Sequence, residues 1–168
     1  LFPNQFSRYF AFSINVLAMA GILIMLFKIV KRITKNNLYA LIATGAFAFS
    51  IACTTMTIYL RMYATLTFFV LSMIYMNLKI FERKNTAKFT DFLILGLITL
   101  LGTLTQYYFI LFEGLTGLIM LVFQIKERNI KDLIKYIITA VLGSAAALCI
   151  YPYIITNVLG GNRGFGSL

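Results

Sequence analysis

The feature that most constrains this chain is a succession of apolar stretches, each close to the length needed to cross a bilayer. A hydrocarbon core is about 30 Å thick, and a helix rising about 1.5 Å per residue needs roughly 20 apolar residues to span it. Six stretches approach that length: Tyr9–Phe27, Leu38–Leu60, Met62–Leu78, Phe89–Gln106, Tyr107–Ile125 and Tyr136–Leu159. They predict an all-α, polytopic transmembrane helix bundle of about six spans with short loops, a single transmembrane domain over residues 1–168. No charged loop separates the fourth stretch from the fifth, yet one helix over Phe92–Ile125 would be about 51 Å long, far beyond the core thickness. The chain has to turn, and Thr103-Leu104-Thr105-Gln106 followed by Tyr107-Tyr108 is the polar place to do it.

Composition closes off other classes. Of the 168 residues 61% are hydrophobic and 12% charged, with a mean hydropathy of +0.89, whereas soluble domains are about 45–50% apolar and about a quarter charged. Two cysteines cannot make a disulfide scaffold, and the wealth of Leu, Ile and Phe excludes a disordered chain. The absence of His removes Ser-His-Asp and Cys-His catalysis and, with no Cys cluster, zinc chemistry; no metal site is expected.

The net charge of +10 comes from 15 Lys and Arg against 5 Asp and Glu, and its location decides its meaning. Twelve of the 15 basic residues fall in three short stretches: Lys28, Lys31, Arg32, Lys35; Lys79, Arg83, Lys84, Lys88; and Lys126, Arg128, Lys131, Lys135. Short loops rich in Lys and Arg stay cytoplasmic. That places all three inside and sends Arg8, the Arg61-Met62-Tyr63 turn, the Gln106-Tyr107 turn and Arg163 outside, so both ends of the chain are extracytoplasmic. The inner charges then read as topogenic and lipid-facing, with the bilayer and not nucleic acid as the partner. Leu1 in place of an initiating Met, and Gly160 to Gly166 resembling an outer loop that is entered and not finished, read as an interior piece of a larger membrane protein. No internal repeat is visible, which withholds support from an inverted-repeat transporter core.

Few polar residues fall within the spans. Glu113 lies about six residues below the outer end of the fifth, where a carboxylate is costly and marks a functional or paired group. Arg61 sits at the outer interface beside Tyr59 and Tyr63, either snorkelling to headgroups or offering a permanently charged fork to a phosphate. Seven tyrosines near the outer face make an aromatic belt. Tyr107 and Tyr108, about 100° apart on a helix, cannot both face lipid, so one is expected to line the bundle. Gly143-Ser144-Ala145-Ala146-Ala147, Gly114-Leu115-Thr116-Gly117, and Gly96 with Gly102 are small-residue faces for close helix packing. Cys53 and Cys149 read as packing residues, and Pro152 should bend or end the sixth span.

Tyr39-Ala40-Leu41 through Phe49-Ser50, then Tyr59-Leu60-Arg61-Met62-Tyr63-Ala64 leading into Phe68-Phe69-Val70-Leu71-Ser72, then Leu104-Thr105-Gln106-Tyr107-Tyr108 after a basic loop, are the motifs that carry a family likeness. From roughly Phe6 to Gly164 the chain resembles the middle of bacterial GT-C glycosyltransferases, the polytopic enzymes similar to protein O-mannosyltransferases and lipid A aminoarabinose transferases. Three positions depart from the pattern: Gln106 stands where His is common, Tyr59 where an acid often precedes the Arg by two, and Ile51 where Pro often follows the Ser.

The resemblance implies a plasma-membrane, multi-pass protein that takes part in moving a sugar from a polyprenyl-phosphate donor to an acceptor at the extracytoplasmic face. It implies substrate-binding roles for Arg61, Tyr63, Gln106, Tyr107 and Glu113. Arg61 would hold the donor phosphate, with the Gln106-Tyr107 turn as the opposite wall. The family's catalytic carboxylates lie in an outer loop that would precede Leu1. Glu82, Asp91, Glu127 and Asp132 fall on the cytoplasmic side and Glu113 in a later helix, so no catalytic residue is carried over. No cofactor is identified. Two other readings stand beside this one: a transporter or lipid flippase fragment with Glu113 as a cation or proton site, and a non-catalytic membrane subunit.

Overall fold

The computed structural model describes residues 5–58, 62–83 and 86–153, and every regular element among them is helical. Seven helices follow one another: α1 (Gln5–Thr34), α2 (Asn37–Ala48), α3 (Ile51–Ile58), α4 (Tyr63–Glu82), α5 (Phe89–Thr105), α6 (Phe109–Lys126) and α7 (Ile130–Ile150). Of these α1, α4, α6 and α7 are long and apolar enough to cross a membrane, and α2 with α3 make a fifth crossing if the bent pair is one span. α5, at 17 residues, is a shorter apolar helix of about 25 Å. The fold class is as the sequence predicts, and six is an approximate count of its spans.

Local chemistry explains where the boundaries differ. The expected single helix over Leu38–Leu60 breaks after Ala48, and its two halves are bent by 60°. Ser50 causes the break without any proline: its Oγ donates to the Phe47 carbonyl at 2.6 Å and accepts from the Cys53 N–H at 3.2 Å. A serine that satisfies backbone groups on both sides of itself competes with the helical ladder and caps the next helix. The sixth span starts at Ile130 and not Tyr136, because the Asn129 side chain accepts from the Asp132 N–H as an N-cap. α7 ends at Ile150, where Pro152 pushes Tyr151 out of helical geometry to φ −133°, ψ 81°, and the remainder of the expected span, 154–159, lies outside the described residues. The first span runs on to Thr34, and the chain leaves it through Lys35 at φ 57°. Arg128, also at φ 57°, closes α6: its N–H donates to the Ile125 carbonyl and the Asn129 N–H to the Gln124 carbonyl, the paired bonds of a left-handed helix stop.

The chain divides into two compact units, Leu1–Tyr75 and Met76–Leu168. In the first, α1 packs against α2 and α3. Its centre is Ala18, Met19, Ile22 and Ala64, with Phe47, Cys53, Met56, Phe68 and Leu71 around them. Gly21 sits under the Phe68 ring, where an added Cβ would lie 2.6 Å from two ring carbons. Lys28 and Arg32 place their charges 6.0 and 5.2 Å from the Tyr75 ring centroid.

In the second unit α5, α6 and α7 pack against one another. Gly96 and Gly143 mark the α5–α7 crossing: a Cβ on Gly143 would meet the Gly96 carbonyl oxygen and the Thr99 side chain at 2.9 Å. The small-residue reading holds there and fails at Gly114, whose missing Cβ faces open space. Cys149 is exposed and so is not a packing residue within this chain, whereas Cys53 is half-buried in the first unit's core.

Candidate functional site

The polar centre of the second unit is built on the close α5–α7 crossing. Because Gly143 lets the α7 backbone lie against Thr99, the next residue, Ser144, comes within reach of the same partner as Thr99. That partner is Glu113 of α6. Thr99 Oγ1 donates to Glu113 Oε1 at 3.0 Å, and Ser144 Oγ donates to Oε2 at 2.9 Å. Glu113 is 6% exposed and Thr99 fully buried. Three helices are thereby joined at one carboxyl group, whose two oxygens each receive a neutral donor. Tyr136 lies below, buried, with its hydroxyl toward Asn77 and Thr116.

Glu113 also borders a groove of about 540 Å³ between α6 and α7. Glu113, Ser144 and Tyr136 are the polar side chains along it, and the rest of its lining is aliphatic side chains and the bare backbone of Gly114 and Gly117.

A second buried carboxyl group lies at the other end of α5. Asp91 is 1% exposed, pairs with Lys79 at 2.7 Å and with Arg83, and accepts from the Lys88 N–H at 3.2 Å. Lys79 stands in the last turn of α4 and Arg83 just after its end, four residues on. This is the start of α5 fastened to the end of α4. Among the described residues no three His, Cys, Asp or Glu side chains gather as a metal site.

The residues expected at the substrate site divide between the two units. Arg61 lies outside the described residues, as does the stretch 160–166. Tyr63 is in the first turn of α4, half exposed. Gln106 and Tyr107 form the α5–α6 turn, as the polar run predicts. The Gln106 N–H donates to the Gly102 carbonyl, and its own carbonyl accepts from the Phe109 N–H at 2.9 Å. The Phe109 ring, buried, lies over Gly102 and fixes the return of the chain. Tyr107 and Tyr108 are both half-buried with ring centroids 4.3 Å apart, so they share the interface between lipid and bundle instead of dividing it.

Glu113 makes no ion pair among the described residues: its partners are the hydroxyls of Thr99 and Ser144 and not a cation, Gln106 or Tyr107. The sequence reading missed both hydroxyls. The available signal was Gly143 directly before Ser144: a close approach followed by a donor.

Against this geometry the sequence matches a known family, the dolichyl-phosphate-mannose-protein mannosyltransferases, over residues 4–155. The chain belongs to that family. Membership makes it a membrane glycosyltransferase sequence of the GT-C type, in agreement with its apolar helices and multi-pass character. No curated protein and no solved structure matches the chain. Arg61, the Gln106-Tyr107 turn and the Glu113 network all fall within the matched residues.

Proposed function

We propose that this chain is the transmembrane portion of a glycosyltransferase that moves a sugar from a polyprenyl-phosphate donor to an acceptor at the extracytoplasmic face of a bacterial plasma membrane. The observation that carries the reading is the family match over residues 4–155. The chemistry supports the division of labour. A donor with a long isoprenoid tail keeps that tail in the bilayer, so its phosphate meets protein at the interface. Attack on the anomeric carbon calls for a carboxylate that activates the acceptor hydroxyl and a cation that steadies the departing phosphate. Arg61, two residues before α4 in the sequence, supplies the cation: its guanidinium stays charged and forks onto two oxygens. Tyr63 flanks it. Gln106 and Tyr107, in the α5–α6 turn, contact the sugar or phosphate, the amide donating without titrating where a His would titrate. The base is supplied by an outer loop outside this chain.

The test is turnover of a polyprenyl-phosphate-sugar donor by the full-length protein, normalised to folded molecules. Arg61→Ala is expected to lower turnover about a hundredfold or more, by analogy with the loss of about 2–4 kcal/mol when one preorganised oxyanion donor is removed. Arg61→Lys keeps the charge, loses the fork and falls between. Turnover and donor affinity that stay at wild-type values in Arg61→Ala would make the residue a headgroup anchor and overturn its assignment.

A further inference from the structure

The Gln106-Tyr107 turn is so short that its shape depends on how α5 and α6 stand against each other. Three residues, Gln106, Tyr107 and Tyr108, separate the two helices. Gln106 is extended, at φ −151° and ψ 119°, while its carbonyl accepts from the Phe109 N–H at the start of α6. A connection of this kind leaves no slack: when either helix rolls or splays, the Gln106 and Tyr107 side chains swing with it.

Two contacts set that roll and splay, one behind the other along the hairpin. Nearest to the turn, Phe109 and Gly102 meet so closely that a Cβ on Gly102 would lie 2.6 Å from the ring. About one helical turn further on, Thr99 and Glu113 meet, the first seven residues before Gln106 and the second seven after, through the 3.0 Å bond from Thr99 Oγ1 to Glu113 Oε1.

The second contact holds more than its own pair. α5 packs more extensively on α7 than on α6, and the α5–α7 crossing brings Gly143 against the Gly96 carbonyl. Ser144, next to that crossing, donates to the other Glu113 oxygen at 2.9 Å, so a single α6 side chain registers α6 against both of its neighbours. Just beyond it α6 is loosely held: a Cβ on Gly114 meets nothing within 4 Å, and one on Gly117 meets the Tyr136 ring only at 3.9 Å. Glu113 stands roughly 10 Å along the helix from the turn, and each of its oxygens is taken by a neutral hydroxyl. That placement suits a group that holds α6 in place, acting on the turn through the helix and not by contact.

We propose that Glu113 is a positioning residue for the donor site: by bridging Thr99 and Ser144 it sets where the Gln106-Tyr107 turn stands, and it does so through hydrogen bonds and not through charge. The role rests on the reading of that turn as one wall of the donor site.

The full-length protein in nanodiscs, with a fluorinated tyrosine at Tyr107, gives two readouts: the fluorine resonance of the turn, and the Kd for undecaprenyl-phosphate mannose per folded molecule. Glu113→Leu breaks both bonds and Thr99→Val breaks one. Their Kd should rise about tenfold and about threefold, the sizes that two and one interhelical hydrogen bonds can transmit, and in both the resonance should shift or broaden. Glu113→Gln should bring Kd back to within about twofold of wild type and restore the resonance, because the amide accepts from Thr99 and donates to the Ser144 hydroxyl. Ile22→Ala, in the core of the other unit, weakens the fold without touching this network and should leave both readouts as they are. Binding lost as severely in Glu113→Gln as in Glu113→Leu would make the charge the active feature and overturn the proposal. An equal response to Ile22→Ala would overturn it too, as a mere loss of stability. So would an unmoved Kd and resonance in Glu113→Leu and Thr99→Val beside weakened binding in Gln106→Ala, a result that leaves the reading of the turn intact. Wild-type Kd in both Gln106→Ala and Tyr107→Ala would instead remove the turn from the donor site, and the positioning role with it.

Discussion

The two units of this chain solve the same problem, helix association in lipid, with opposite materials. The first buries Ala18, Met19, Ile22 and Ala64 together, and its buried polar residues among the described positions are the neutral Asn15 and Ser72. The second holds all three carboxylic residues that are buried among the described positions, Asp91, Glu113 and Asp132, together with Thr99, Thr103 and Gln124. In lipid an apolar helix gains nothing from hiding apolar surface, so the first unit depends on shape and dispersion, while the second adds hydrogen bonds between helices. Shape-based packing tolerates no loss of volume. Hydrogen-bonded packing tolerates loss of volume better and specifies which helices meet.

The largest effect should come from the first unit. Ile22 is fully buried at its centre, so Ile22→Ala opens a cavity that Gly21 under the Phe68 ring cannot close. Large-to-small core changes cost about 2–5 kcal/mol in water-soluble cores; in lipid the transfer part shrinks and the packing part stays, which puts the expected loss at the lower end of that range. Unfolding of the detergent-solubilised protein, followed by circular dichroism against denaturant, measures it. A loss below about 0.5 kcal/mol, the scale of an ordinary surface substitution, would mean that the first unit is not held by its apolar centre and would erase the contrast.

A smaller effect is expected at the hydroxyl pair of the second unit. Interhelical hydrogen bonds in membranes average about 0.6 kcal/mol and reach about 1.7. Thr99→Val and Ser144→Ala should each fall in that range. Because both hydroxyls donate to one carboxyl group, the double variant should depart from the sum of the singles, since residues sharing a partner couple by about 0.5–3 kcal/mol. A double-mutant cycle on unfolding free energy checks this, and strict additivity would show that Glu113 does not tie α5 to α7.

The same contrast explains what was legible in the sequence. The spans follow from apolar length alone, and the α5–α6 turn from a helix of about 51 Å that no bilayer accommodates, so the helix order was readable before any coordinates. The break at Ser50 was not, because a lone serine in an apolar run is equally at home bonding to its own helix. At the site, Glu113 announced itself by the cost of a carboxylate in lipid. Thr99 and Ser144 did not, since one sits fourteen residues before Glu113 and the other thirty-one after, and no periodicity on a single helix connects them. Asp91 was likewise placed at a cytoplasmic end by charge, while its pairing with Lys79 and Arg83 depends on how α4 and α5 meet. The glycines of the small-residue runs were read as packing, and that held at Gly96, Gly102 and Gly143 but not at Gly114, which shares its open surroundings with Gly45, a glycine given no role in the sequence.

Those last two glycines supply the smallest and most discriminating comparison. Gly45 in the first unit and Gly114 in the second both lie inside helices, and an added Cβ at either meets nothing within 4 Å. Gly in a helix interior is worse than Ala by about 0.5–1 kcal/mol, mainly because it loses more backbone freedom on folding. Gly45→Ala should therefore stabilise the protein by a few tenths of a kcal/mol to about 1 kcal/mol, with or without lipid. Gly114→Ala has the same intrinsic gain, but its methyl group projects into the floor of the α6–α7 groove. In delipidated detergent solution the two substitutions should raise the unfolding midpoint equally. When bilayer lipid is added back, wild type and Gly45→Ala should gain the same further stability, and Gly114→Ala should gain less if chains lie in the groove, because a bound chain stabilises only the state that can hold it. A lipid response identical in all three would mean that nothing enters the groove at Gly114, and the second unit's open glycine would then be as inert as the first's.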